Sequence, residues 1–163
     1  LRTPVGVARV AVRTAQDMQK AVEQALPADV FIGVAAVADW RVAHPSTEKL
    51  KKQSAQGLSD LTWVENPDIL AGVAVHTHRP ALVGGFAAET GTEQDLAQTL
   101  PTKLARKQAD LLIGNLAVEN MHQTHGQFLV QYPDGRQVKL AKDDKTSQAL
   151  RMVHLLADLL PLV

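Results

Sequence analysis

The sequence predicts an α/β fold built on a mostly parallel sheet, and three observations carry that reading. Residues 30–39, VFIGVAAVAD, form an almost unbroken apolar run that stops at Asp39, Trp40 and Arg41. A run this short, apolar and rich in β-branched residues has the pattern of a strand covered on both faces. Two later segments repeat the arrangement: ALVGGF at 81–86 leads into Ala87, Ala88, Glu89 and Thr90, and DLLIG at 110–114 leads into Asn115. Helical patterns alternate with these strands, the order expected of right-handed crossovers between parallel neighbours. Ligands of open α/β sheets bind beyond the carboxyl ends of the strands, which is where Asp39 and Asn115 would stand.

Element by element, residues 8–12 read as a strand. Thr14 is a suitable N-cap for a helix over 15–26, whose apolar positions Ala15, Met18, Ala21, Val22, Ala25 and Leu26 keep helical spacing until Pro27. Strand, helix and the run from Val30 then make one crossover unit. Residues 41–57 contain His, Pro, Ser, Thr, Gln and a cluster of Lys49, Lys51 and Lys52. So long a polar connection suggests a lid or binding loop. Residues 61–64 read as a short strand. At the next helix start Asn66 caps, Pro67 occupies the first helical position and Asp68 favours the positive end of the dipole. A helical pattern over 92–108 is expected to break or restart at Pro101, and it sets Lys103 and Lys107 four apart on one face. Residues 116–127 read as a loop. Residues 128–132 and 137–140 flank the turn Pro133-Asp134-Gly135 as a hairpin, and an amphipathic helix over 146–160 closes the chain.

The 163 residues suggest one domain with its own core. Lys+Arg and Asp+Glu both total 17, which disfavours a general polyanion partner such as nucleic acid. Without cysteine there is no disulfide framework, thiol nucleophile or Cys-based zinc site. No apolar run approaches the roughly 20 residues of a membrane span, and LRTPVGVARV has no signal-peptide or transit-peptide character. A cytoplasmic location is expected.

Lysines in a polar loop and on a helix face suit a triphosphate, because several ammonium groups can share the charge that develops on leaving pyrophosphate. The helix start at residues 66–68 would add backbone N–H donors. Asp39 could accept from a ribose hydroxyl or help to hold Mg²⁺, and Asn115 could contact a ligand beside it. Each feature has a plainer reading alone: Asp39 as a turn cap, the lysines as solvated surface, Phe86 as core. The pairs His76/His78 and His122/His125 have loose metal spacing but no clear third ligand. Neither a GxxxxGK[ST] loop nor a GxGxxG fingerprint is present.

Taken in order, GVAAVADWR, EKLKK, NPDIL, GFAAET, the Lys103/Lys107 pair and DLLIGN resemble the phosphopantothenoylcysteine synthetase domain of coenzyme A biosynthesis, from about Thr3 to the final helix. The resemblance implies a Rossmann-like three-layer α/β fold, a C-terminal β-hairpin with a closing helix, and a homodimer. It implies joining of 4′-phosphopantothenate to L-cysteine, with CTP spent in the presence of Mg²⁺ to form an acyl-cytidylate that the cysteine amine then attacks. Residue by residue, it places Gly33, Val34, Ala35 and Asp39 beside the nucleotide. It places Lys49 in a loop folding over the active site, Pro67, Asp68, Ile69 and Leu70 near the cytosine, Phe86 as the aromatic of GFAAET, and Lys103 and Lys107 on the triphosphate. Residues 1–163 are expected to form a single nucleotide-binding ligase domain.

Relative to that pattern the chain starts after an expected strand, Asn-containing loop, helix and second strand, and Asn115-Leu116 replaces the usual Asn-Asp. The chain is therefore expected to bind CTP without efficient amide formation. FMN belongs to the fused decarboxylase portion of the family, and nothing in this sequence calls for it. The alternatives are a non-catalytic nucleotide-binding or dimerisation fragment, and a nicotinamide-dependent oxidoreductase, which the missing GxGxxG disfavours.

Overall fold

A computed structural model describes residues 2–46, 61–120 and 123–160. In chain order the elements are α1 (Ala15–Gln24), β1 (Val30–Gly33), β2 (Trp40–Val42), β3 (Trp63–Glu65), α2 (Ile69–Ala74), β4 (Leu82–Glu89), α3 (Glu93–Lys107), β5 (Leu111–Leu116), α4 (Ala117–Asn120), β6 (His125–Gln131), β7 (Gln137–Asp144) and α5 (Lys145–Ala157). Five strands form one sheet in the order β1-β4-β5-β6-β7. The pairs β1/β4 and β4/β5 are parallel, while β5/β6 and β6/β7 are antiparallel. Strands β2 and β3 form a separate two-stranded ribbon.

The sheet lies between helical layers, as an α/β fold requires. On one face Val73 and Ala74 of α2 and Leu96, Leu100 and Leu104 of α3 pack on Val83, Leu112 and Leu116, with Val22 of α1 at the margin. On the other, Met152 of α5 joins Leu111, Ile113, Phe128, Val130 and Leu140. Two glycines set the depth of the first layer. A Cβ on Gly85 would stand 2.3 Å from Leu70 Cδ2, and one on Gly114 would stand 2.7 Å from Leu100 Cδ1. Both distances are shorter than carbon contacts allow, so α2 and α3 can seat this closely only over bare backbone.

At the amino ends of the strands Arg79 pins α2, β4 and β5 together. Its Nη2 donates to both Asp110 carboxylate oxygens at 2.8 and 2.7 Å, and its Nε donates to Ala74 O at 2.9 Å. Asp110 Oδ2 in turn accepts from Val83 N at 2.7 Å. The planar guanidinium fork makes this multiple attachment possible.

Several sequence expectations change. The run from Val30 is a strand for only four residues, all half-buried. β1 is paired with β4 alone among the described residues, and Val34 is already 63% exposed. Among the described residues it thus stands at the edge of the sheet, and its half-buried side chains do not have the cover on both faces that the sequence suggests. Residues 8–12 form no strand and Val10 is exposed; β-branched content alone makes no strand without a ladder partner. The expected crossover unit of strand, α1 and β1 is consequently not formed. The polar stretch after Asp39 opens with β2, which pairs with β3. The 116–127 loop contains α4 and the start of β6.

Pro101 does not interrupt α3, which runs unbroken from a Thr92–Asp95 capping box. A proline at this position leaves the carbonyl of Ala97 without its helical donor. Gln137 Nε2, from β7, donates to that carbonyl at 2.8 Å. The lost helical bond is thus replaced by one that ties α3 to the hairpin.

Candidate functional site

The carboxyl edge of the sheet assembles charged groups from three elements. Asp68 is the N-cap of α2: its Oδ1 accepts from Ala71 N at 3.1 Å, and its other oxygen accepts from Lys107 Nζ. Lys103, one turn earlier on α3, donates to Glu89 at the end of β4. The two lysines therefore share a helix face, as their spacing requires, and each is held by a carboxylate. Burial pushes the Asp68 carboxyl up, but the Lys107 hydrogen bond, the Ala71 N–H and the charges of Lys107 and Arg106 outweigh it. The group is held below its usual value of 3.8. Paired cations of this kind are neutral in sum yet pre-positioned, and a polyanion can take them over from their carboxylates.

Asn66 does not cap α2, contrary to the sequence reading, and Pro67 is not its first helical residue. The cap is Asp68 and the helix begins at Ile69. Asn66 is committed elsewhere: its N donates to Asp39 O at 2.7 Å and its Nδ2 to Ala38 O at 2.8 Å. Arg41 Nη1 donates to Asn66 Oδ1 at 3.3 Å and to Glu65 O. The segment from Gly33 to Asp39 is thereby fastened to the entry of α2. Gly33 faces Phe31 and Leu70, while Val34, Ala35 and Asp39 are exposed. Ile69 and Leu70 point into the core beneath, so a ligand there would meet backbone. α2 has six residues and its Ala71 N–H is already taken by Asp68, a weaker anion cradle than the motif suggests.

Thus Gly33, Val34, Ala35, Asp39, Pro67, Asp68, Ile69, Leu70, Lys103 and Lys107 fall on two neighbouring segments and the helix beside them. Phe86 does not join this face. It packs with the opposite core, edge-on to Phe128 with ring centroids 6.4 Å apart. Asn115 is paired with Ala88 inside β5, and strand alternation turns it to the Phe86 side. Lys49, Lys51 and Lys52 lie outside the described residues. Among the described residues no three His, Asp or Glu side chains converge on a metal position, and no helix is long and apolar enough to cross a membrane. Glu89 as the partner of Lys103, and Arg41 with Asn66, were not found from sequence. Only the long-range pairing of β2 with β3 brings Arg41 to Asn66.

A mixed sheet, parallel over β1, β4 and β5 and flanked by helical layers, defines a Rossmann-like α/β domain. Residues 1–160 match the model of the DNA/pantothenate metabolism flavoprotein C-terminal domain, and the chain belongs to that family. The coenzyme A biosynthesis bifunctional protein CoaBC of Vibrio parahaemolyticus is 35% identical over 164 residues, covering 98% of this chain and 40% of the relative. Its counterpart in Escherichia coli K12 is 48% identical over 119 residues, covering 71% and 28%. The chain thus spans well under half the length of these relatives. In fold it is similar to the crystal structure of the C-terminal domain of a CoaBC protein. The TM-score is 0.68 at 24% identity, over 97% of this chain and 72% of that one.

Proposed function

We propose that the chain is the phosphopantothenate–cysteine ligase part of a coenzyme A biosynthesis protein, using CTP to activate 4′-phosphopantothenate for amide formation with L-cysteine. The observation that carries this reading is the lysine pair of α3, set beside the segments after β1 and before α2 at one sheet edge. Membership of the family and the relatives' role in coenzyme A biosynthesis support it.

The carboxylate attacks the α-phosphate of CTP, giving an acyl-cytidylate and pyrophosphate. The cysteine amine then attacks the acyl carbon, forming the amide and releasing CMP. The first step needs alignment and charge neutralisation more than a strong base. Lys103 and Lys107 would supply positive charge to the triphosphate, and the backbone of residues 33–35 and 67–70 would hold the nucleoside. Mg²⁺ would arrive on the triphosphate's own oxygens, which is how this ion is usually carried. Homodimeric assembly and a cytoplasmic location belong to the same reading.

The test is CTP-dependent formation of the amide by the protein that carries this domain. Lys49→Gln is expected to lower turnover by at least about a hundredfold and to change CTP affinity less than about threefold, as follows for a lysine that acts on the reaction after the nucleotide has bound. Equal turnover of wild type and variant would remove Lys49 from the reaction. Absence of CTP-dependent product from the wild type would reject the proposed activity.

A further inference from the structure

The segment 34–39 leaves the sheet ladder at Gly33, and its one internal backbone bond is the tight turn from Val37 N to Ala35 O at 3.1 Å. Asn66 ties its far end to the rest of the domain by taking both carbonyls there: Ala38 O through Nδ2 at 2.8 Å and Asp39 O through its backbone N at 2.7 Å. Asn66 is also the residue before Pro67, and two before the cap of α2. One residue therefore joins the two segments between which a nucleoside would sit.

Its amide can take only one orientation. Ala38 O requires a donor, and the Arg41 guanidinium, 3.3 Å from Oδ1, requires an acceptor. Arg41 is fixed in turn by donation to Glu65 O and by its place in the β2/β3 ribbon, opposite Val64.

We propose that Asn66 is a positioning residue of the nucleotide site, with Arg41 as the group that orients its amide. The inference rests on the reading of residues 33–39 and 67–70 as nucleotide-facing. Asn66 sets the spacing between these segments and so acts on affinity without touching the ligand.

Asn66→Asp separates this role from simple stability. The carboxylate keeps an acceptor for Arg41 and the shape of the side chain, but presents oxygen to Ala38 O where a donor is needed. Calorimetric titration with Mg·CTP, well below both unfolding transitions, is expected to show about tenfold weaker binding, the worth of one lost hydrogen bond. The melting temperature should stay within a few degrees of wild type. Arg41→Ala leaves Asn66 in place but free to turn over, and is expected to weaken CTP binding about threefold or more. It also serves as the test should Asn66→Asp fail to fold. In a double-mutant cycle the two losses should be less than additive, because both act through one amide. Wild-type affinity in either folded variant, with a wild type that binds CTP, would overturn the positioning role alone. A wild type that binds no nucleotide would overturn the underlying reading and this inference with it.

Discussion

Replacing Lys103 and Lys107 together by glutamine is expected to weaken CTP binding by at least about a hundredfold. A hydrogen bond from an ammonium to a charged group contributes roughly 1.5–3 kcal/mol, so each lysine accounts for about a tenfold change or more. The loss is compounded by what remains. Glu89 and Asp68, the present partners of these lysines, would be left as unpaired carboxylates beside the bound triphosphate. Adding Glu89→Gln to Lys103→Gln should therefore recover part of the affinity lost in Lys103→Gln alone, which an uninvolved lysine would not show. The fold should survive, since partly exposed ion pairs contribute at most about 1 kcal/mol each. Titration of the folded variants with Mg·CTP decides the matter, and a change of less than about threefold in the double variant would remove both lysines from the site.

Gly114→Val is expected to have the largest effect on stability, about 3 kcal/mol. An added Cβ would stand 2.7 and 2.9 Å from the two methyls of Leu100 and 2.9 Å from Leu96 Cδ1. Leu100 is fully buried and Leu96 nearly so, so the leucines can yield only by leaving their rotamers or by lifting α3 off the sheet. Overpacking of this kind costs about 1–3 kcal/mol, and the branched methyls of valine bring it to the upper end. At about 2–4 °C per kcal/mol the melting temperature should fall by about 6–12 °C. Gly72 is the internal control. Nothing lies within 4 Å of a Cβ there, so Gly72→Ala should be neutral or should raise stability by up to about 1 kcal/mol. An unchanged melting temperature in Gly114→Val would mean that α3 is not seated against Gly114 as described, and the placement of both lysines would go with it.

The parallel part of the sheet is legible because residues 82–85 of β4 and 111–114 of β5 are apolar and buried on both faces, a pattern that needs no partner to be recognised. The hairpin was legible from its Pro133-Asp134-Gly135 turn. What failed depended on long-range partners. The apolar residues of 8–12 look like a strand until one asks what they pair with. The apolar stretch 34–39 looks like more of β1, but it turns away to reach Asn66. Asn66-Pro67-Asp68 contains two residues that could cap; the choice of Asp68 follows from the commitment of Asn66 to Ala38 and Asp39, which local sequence cannot reveal. Pro101 reads as a break because its cost is local while its remedy, Gln137, is far away in sequence. At the site, the spacing of Lys103 and Lys107 placed them on one face of α3, but their carboxylate partners lie on β4 and at the α2 cap. The two faces of the sheet also separate Phe86 from Leu70, although GFAAET and NPDIL read equally well as neighbours in a motif list.

The decisive measurement is calorimetric titration of this chain with Mg·CTP, with Mg·ATP under the same conditions as the comparison. Binding of CTP at least about tenfold tighter than ATP is expected, a selectivity of about 1.4 kcal/mol that backbone contacts to the base from residues 67–70 can supply. Equal affinity for the two nucleotides, or binding of neither, would contradict a cytidine nucleotide site at this edge of the sheet.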